Sequence, residues 1–283
     1  MTSGVLVLVL ASAFGHAFWN LLAKRAGGGH AFVWLVAVGS TILYAPVAAT
    51  VLWLEHPPLG RTQLLFMAGT ACLHVGYFVA LQLGYGRGDL SLVYPLARGT
   101  GPMLSVAAAV AFFGEQPTVL ALAGTVLIAA GVLTLSGGGT SADDRAAVLL
   151  GLSTGALIAC YTLWDKQAVT AAAIPPLLLT WSSDAGRSLL LLPVVLHRRA
   201  FVGRVLRDAR WDVVGVALLA PLSYILVLVA LSSTPVSYVA PVREVGVLIG
   251  AALGVRVLAE GNAPRRLVSS AAIVLGVAAL AIG

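Results

Sequence analysis

Ser91-Leu-Val-Tyr-Pro95 and Ser237-Tyr-Val-Ala-Pro241 stand 146 positions apart in a chain of 283 residues. The echo extends outward in both directions. Trp19-Asn20 precedes Trp164-Asp165 by 145 positions, and Gly131 precedes Gly276 by the same interval. Ten apolar stretches thus divide into two sets of five. Because five crossings are an odd number, a second copy of such a set enters a bilayer from the opposite side. The pattern predicts two inverted-topology repeats around a central cavity.

Composition agrees with a membrane solvent. Hydrophobic residues make up 59% of the chain and charged residues 10%, and the mean hydropathy is +0.98, well outside the soluble globular range. The net charge of +6 falls mostly between the apolar stretches rather than on a folded basic face. It points to lipid headgroups and orientation, and no nucleic-acid partner is expected. Cys72 and Cys160 lie inside apolar stretches without metal-type spacing and read as small packing residues. The first stretch lacks the basic start and cleavage site of a signal peptide, and its echo in the sixth stretch predicts that it stays.

A spanning helix takes about 20 apolar residues, and helices satisfy their own backbone in lipid. The sequence predicts an all-α integral membrane protein with helices at 3–24, 31–54, 62–85, 90–113 and 117–136, then 147–169, 175–196, 211–232, 236–257 and 264–282. Residues 1–136 form the first repeat, 137–146 a polar Gly-rich linker, and 147–283 the second repeat. Connections carry turn chemistry, as in His56-Pro57-Pro58, Gly86-Arg87-Gly88-Asp89 and Gly114-Glu115-Gln116-Pro117. Loops after odd-numbered spans hold most of the Lys and Arg, including Lys24, Arg25, Arg87, Arg145 and the run Arg198 to Arg210. By the positive-inside rule that side is cytoplasmic, which puts both termini outside a plasma (inner) membrane.

Ionisable side chains within a span are costly and face a partner or a cavity. Arg98, Asp165, the pair Asp184/Arg187 and the pair Arg243/Glu244 are placed in this way, whereas Lys166 sits near enough to a helix end to snorkel. Arg98 and Glu244 are each three residues beyond the repeated proline, so a pseudo-twofold axis brings them face to face. They form either an inter-repeat salt bridge or a substrate-binding charge pair, with Arg243 adding a second cation. Pro95 and Pro241 cannot donate to the carbonyls of Ser91 and Ser237 four residues back, which leaves acceptors for an ion or solute, or else merely a kink. His16 and Asn20 share one helix face, and Tyr161 and Asp165 share the equivalent face of the sixth helix. His16 is either a proton carrier or a satisfied interhelical partner. His74 and Tyr77 are further candidates, and Trp19 and Trp164 adjoin the polar stripe unless they act as interface anchors. Asp184 and Arg187, three apart, form a local pair or a coupling-ion contact that breaks the symmetry. Gly250-x-x-x-Gly254 reads as helix packing.

No metal set, nucleophile elbow, glycine-rich phosphate loop or paired-aspartate motif occurs, so no metal, cofactor or catalytic residue is expected. His16-Ala-Phe-Trp-Asn-Leu-Leu-Ala-Lys-Arg25, Gly88-Asp-Leu-Ser-Leu-Val-Tyr-Pro-Leu-Ala-Arg98 and Phe113-Gly-Glu115 resemble the EamA-type branch of the drug/metabolite transporter superfamily. The second-half counterpart of the Gly-Glu pair is Ala259-Glu260, a degenerate copy. The resemblance implies an alternating-access carrier whose cavity is lined by His16, Asn20, His74, Tyr77, Tyr94, Arg98, Tyr161, Trp164, Asp165, Tyr224, Arg243 and Glu244. Both termini are cytoplasmic in many members of that family, against the charge bias here. The first helix has no membrane Glu, so the proton-linked mechanism of the small multidrug relatives does not transfer directly. The expected function is secondary transport, as an exporter, of a small polar or zwitterionic metabolite, amino acid-like or drug-like. Arg98 and Arg243 meet its anion, Asp165 or Glu244 its cation, and Trp19, Tyr94, Tyr161 and Trp164 form apolar walls. Partners are the solute, the bilayer and a coupling proton or ion, and the chain acts as a monomer or weak homodimer. The alternative is a membrane enzyme acting on a lipid or isoprenoid, which predicts a metal or nucleophile set; a scaffold subunit has no use for a polar cavity.

Overall fold

The computed structural model describes residues 2–26, 29–85, 90–135, 145–197, 199–246, 249 and 263–283. Eleven helices have both ends among the described residues, none of which lies in a strand. They are α1 (Ser3–Arg25), α2 (His30–Glu55), α3 (Arg61–Tyr85), α4 (Leu90–Phe113), α5 (Val119–Leu135), α6 (Arg145–Thr170), α7 (Pro176–Leu196), α8 (Arg199–Asp208), α9 (Arg210–Ser233), α10 (Val236–Val242) and α11 (Ala263–Ile282). Five carry segments long and apolar enough to cross a membrane: Ser3–Ala23, His30–Glu55, Arg61–Leu81, Val148–Thr170 and Arg210–Ser233. Large apolar side chains stand exposed along these helices, among them Phe14, Ile42, Trp53, Leu65 and Leu218. In water such a surface invites association; in lipid it is the solvent-facing side of a multi-pass membrane protein.

The helices pair mostly across the two halves of the sequence. α1 lies on α9, α3 on α6, α2 on α7, α4 on α6 and α5 on α11. The pairings have readable directions. Gln63 reaches the carbonyl of Ala172 while Thr70 reaches Asp165, so α3 and α6 run antiparallel. Trp34 donates to the Ser188 carbonyl and Trp181 to that of Thr41, so α2 and α7 do likewise. In α5 and α11 the backbones nearly touch. A Cβ on Gly276 would lie 2.7 Å from the Gly124 carbonyl, and one on Gly131 would lie 3.0 Å from that of Ser269. Small residues permit this approach, and in lipid close packing is what holds apolar helices together.

Local chemistry ends the helices. α4 stops at Gly114, whose φ of 64° lets the Glu115 N–H bond the Ala109 carbonyl at 3.3 Å, as at a left-handed C-cap. The corner between α9 and α10 is clamped from both sides. Lys166 Nζ donates to the carbonyls of Leu231 at 2.5 Å and Thr234 at 3.1 Å, at the negative end of α9. The Glu115 carboxylate accepts the N–H groups of Val236 at 2.8 Å and Ser237 at 2.9 Å, at the positive end of α10. Each charge meets the orphan backbone groups and the dipole end of opposite sign.

Several expectations from the sequence are corrected. The ninth helix does not run from 236 to 257: α10 ends at Val242 and residues 243–244 form a turn. Pro241 supplies no N–H, and the Glu244 and Gly246 N–H groups bond carbonyls three back, those of Pro241 and Arg243, at 3.0 and 3.1 Å. These tight bonds end the regular α pattern. The stretch between the seventh and eighth spans is helical (α8) rather than a loop, because Val202, Val205 and Ala209 give it an apolar side to bury. α6 begins at Arg145, inside the expected linker. Cys72 and Cys160 are exposed free thiols rather than packing residues. Lys166 turns to the carbonyls of α9 instead of snorkelling. The remaining spans agree within two residues. Most of the linker, Gly86 to Asp89, Gly250, Gly254 and Ala259-Glu260 lie outside the described residues.

Glu115→Ala should uncap both N–H groups at the start of α10. A loss of about 1.5–3 kcal/mol follows from hydrogen bonds to a charged acceptor, read as a lower Tm in detergent, while exposed Glu55→Ala leaves Tm unchanged.

Candidate functional site

α3, α6 and α9 meet at Asp165, which is 0% exposed. Thr70 Oγ1 donates to its Oδ1 at 2.6 Å. His74 Nε2 lies 3.1 Å from Oδ2, and the Tyr224 hydroxyl donates to the same oxygen. A carboxylate accepts only, so His74 carries its proton on Nε2. Thr70 and His74 reach one carboxylate because residues four apart share a helix face. Three donors offset the large cost of taking a carboxylate out of water.

An aromatic wall stands beside this group. The Tyr161 ring is 4.5 Å from His74 and 6.3 Å from Tyr224, with Tyr77 5.7 Å from Tyr161. The Arg243 guanidinium lies 5.8 Å from the centre of the Tyr224 ring, within cation–π range.

Arg243 is followed by Glu244, which opens a second group. Arg98 Nη1 is 3.5 Å from Glu244 Oε1, and both side chains are buried. The other terminal nitrogen of Arg98 contacts His16 Nε2. A guanidinium only donates, so this imidazole nitrogen accepts and the His16 proton sits on Nδ1. The His16 ring meets Trp19 edge-on at 4.8 Å. Glu244 Oε2 is buried and has no hydrogen-bond partner among the described residues. The 243–244 turn thus joins both groups into one polar seam with two guanidinium groups, two carboxylates and two imidazoles. Its guanidinium and carboxylate charges balance.

Other candidates are engaged elsewhere. Trp164 donates to the Phe66 carbonyl at 2.9 Å, and its ring lies against Phe66 at 4.7 Å and against Gly69, docking α6 on α3. Asn20 donates to the His16 carbonyl of its own helix at 2.7 Å. The Trp19 Nε1 is buried without a partner among the described residues. Asp184 and Arg187 pair with each other at 3.1 Å on α7. Ser237 is buried and joins the Glu115 cap through its N–H, while its hydroxyl has no partner among the described residues. The side chains of Tyr94 and Ser91 lie outside the described residues. Thr70 went unnoticed in the sequence, since a threonine in an apolar span ordinarily bonds its own helix; its spacing of four from His74 was the only signal.

The N-terminal half of the chain, residues 3–137, matches the family model of the EamA-like transporter family. A crystal structure of a protein superposes on 100% of this chain and 98% of its own, with a TM-score of 0.78 at 15% identity, which shows a shared fold. No curated protein matches the chain in sequence.

Arg98→Met alone strands the Glu244 carboxylate and should cost about 3–5 kcal/mol, whereas Arg98→Met with Glu244→Leu recovers most of it. Tm values of both variants and of Glu244→Leu complete the cycle.

Proposed function

We propose that this chain, whose residues 3–137 match the family model of the EamA-like transporter family, is a secondary transporter of a small zwitterionic metabolite, bound at the seam holding Asp165, Tyr224, Arg98, Arg243 and Glu244. The observation that carries the reading is this balanced charge set beside an aromatic wall. A solute bearing one carboxylate and one ammonium exchanges for protein partners without leaving a net buried charge. Arg243, half-buried over Tyr224, meets the carboxylate. The unpartnered Glu244 Oε2 meets the ammonium, and Tyr77, Tyr161 and His74 flank the solute's apolar part. Such sites belong near the midplane between repeats.

In this reading residues 1–136 and 147–283 are inverted five-helix repeats joined by 137–146, with ten spans in all. Contacts that exchange under the repeat offset support it. Gly101 abuts Ile158 as Gly246 abuts Ala13, and Gly131 abuts the Ser269 carbonyl as Gly276 abuts that of Gly124. The antiparallel course of α5 and α11 fits an axis in the membrane plane. The halves rock about the Arg98–Glu244 contact, and the unwound turn after α10 gives them a joint. The basic end of the bundle faces the cytoplasm, which leaves both termini outside. A lipid-modifying enzyme gains no support, because the matched family is one of transporters.

Purified chain is screened by thermal shift against neutral amino acids, their amine and carboxylate halves alone, and inorganic ions, since a ligand that binds only the folded state raises Tm. Zwitterions should stabilise and the half-molecules should not. In proteoliposome counterflow Arg243→Gln should raise KM at least about tenfold, one bound charge pair or more, with Tm unchanged. Unchanged KM removes Arg243 from the site, and absence of any zwitterion-dependent shift or flux overturns the assignment.

A further inference from the structure

α8 is too short to cross a bilayer, because its ten residues rise only about 15 Å. It packs on α2, α7 and α9. Val205 and, just past its end, Ala209 form the buried ridge, set among Ala31, Phe32, Val36, Val213 and Val216. The apolar residues on either side of the ridge stay partly exposed, Phe201 at 40% and Leu206 at 50%. At about 100° per residue, Arg207 projects about 160° from Val205 and Arg204 about 100° from it, and both are exposed. The helix therefore has a sector on protein, two partly exposed apolar flanks and one cationic crest.

The flanks continue an existing lipid-facing surface. Trp211, 74% exposed, lies in the first turn of α9 and heads a stripe that runs through Val214, Leu218 and Leu222. The cations are set at the aromatic rings: Arg204 lies 5.3 Å from the centre of the Phe201 ring and Arg210 5.5 Å from that of Trp211. A ring at the edge of the hydrocarbon with a guanidinium beside it is the arrangement that suits a membrane–water boundary. Asp208 and Asp212 offset part of this charge, and the three arginines leave it positive.

We propose that α8 lies in the headgroup plane and binds anionic phospholipid through Arg204, Arg207 and Arg210, with Phe201, Leu206 and Trp211 in the upper acyl region. A soluble anion would use the crest and leave the flanks unexplained. The lipid surface uses both, and it meets a helix whose flanks run directly into the hydrocarbon-facing stripe of α9. The proposal requires the chain to sit in a bilayer but does not depend on transport, so failure of the carrier assignment leaves it standing.

The full chain in detergent is titrated with dioleoylphosphatidylglycerol, dioleoylphosphatidylcholine or inorganic phosphate, and Tm is followed. The anionic lipid should raise Tm most and phosphate alone should not. In Arg204→Gln/Arg207→Gln/Arg210→Gln the half-saturating concentration of anionic lipid should rise roughly a hundredfold, about a factor of five per arginine. Equal stabilisation by the zwitterionic lipid, reproduction of the effect by phosphate, or an unaltered triple variant overturns the proposal. A second measurement does not need that variant to fold. Nitroxide labels at Leu206→Cys and at Arg207→Cys, each in Cys72→Ala/Cys160→Ala protein in phosphatidylglycerol-containing liposomes, report solvent directly. Oxygen should relax the label at 206 more than a water-soluble nickel chelate does, with the order reversed at 207; aqueous exposure at both sites overturns the proposal.

Discussion

A charge at the depth of the hydrocarbon core must find its counter-charge or its hydrogen bonds inside the protein, and here the two halves of the chain supply them to each other. Arg98 on α4 meets Glu244 just after α10. Asp165 on α6 takes two of its three donors, Thr70 and His74, from α3. The Asp184–Arg187 pair, in contrast, is closed within α7. The polar seam links the two halves by hydrogen bonds and an ion pair. Glu244 Oε2, buried within the seam, has no hydrogen-bond partner among the described residues.

The corner before α10 is held by charged side chains on both of its sides. Lys166 and Glu115 fasten the end of α9 and the start of α10 with charged hydrogen bonds to main-chain groups. Seven residues later the helix is interrupted at Arg243 and Glu244. A firm anchor followed by a short helix and a turn places the side chains of Arg243 and Glu244 seven and eight residues beyond the clamped start of α10. The Gly114-Glu115 pair thereby acquires a physical role. Glycine turns the chain back at a positive φ, and that turn brings the carboxylate to the start of α10, far away in the sequence.

Close backbone approach plays the complementary part away from the seam. α5 and α11 meet through Gly124, Gly131 and Gly276, and no polar side chain is needed there. Trp164 likewise serves adhesion: its indole N–H is spent on the Phe66 carbonyl and its ring on Gly69. Its neighbour Asp165 turns instead to the polar seam. Adjacent residues on one helix thus divide between packing and chemistry because successive side chains point about 100° apart.

Much of this protein was legible in one dimension. Apolar run length and turn residues are local quantities, so they located most helices within two residues. The repeat offset, a property of linear order, placed Arg98 and Glu244 at matching positions before any distance was known. What spacing along the chain could not say was which of the buried polar groups would touch. That Asp165 gathers Thr70, His74 and Tyr224, that Lys166 and Glu115 clamp one corner, that Pro241 ends a helix at Val242, and that residues 199–208 fold on α2 and α9, all depend on contacts between residues remote in sequence. Such contacts are decided by the packing of helices against one another, where the cost of an unpaired buried group is settled only once its neighbours in space are in place.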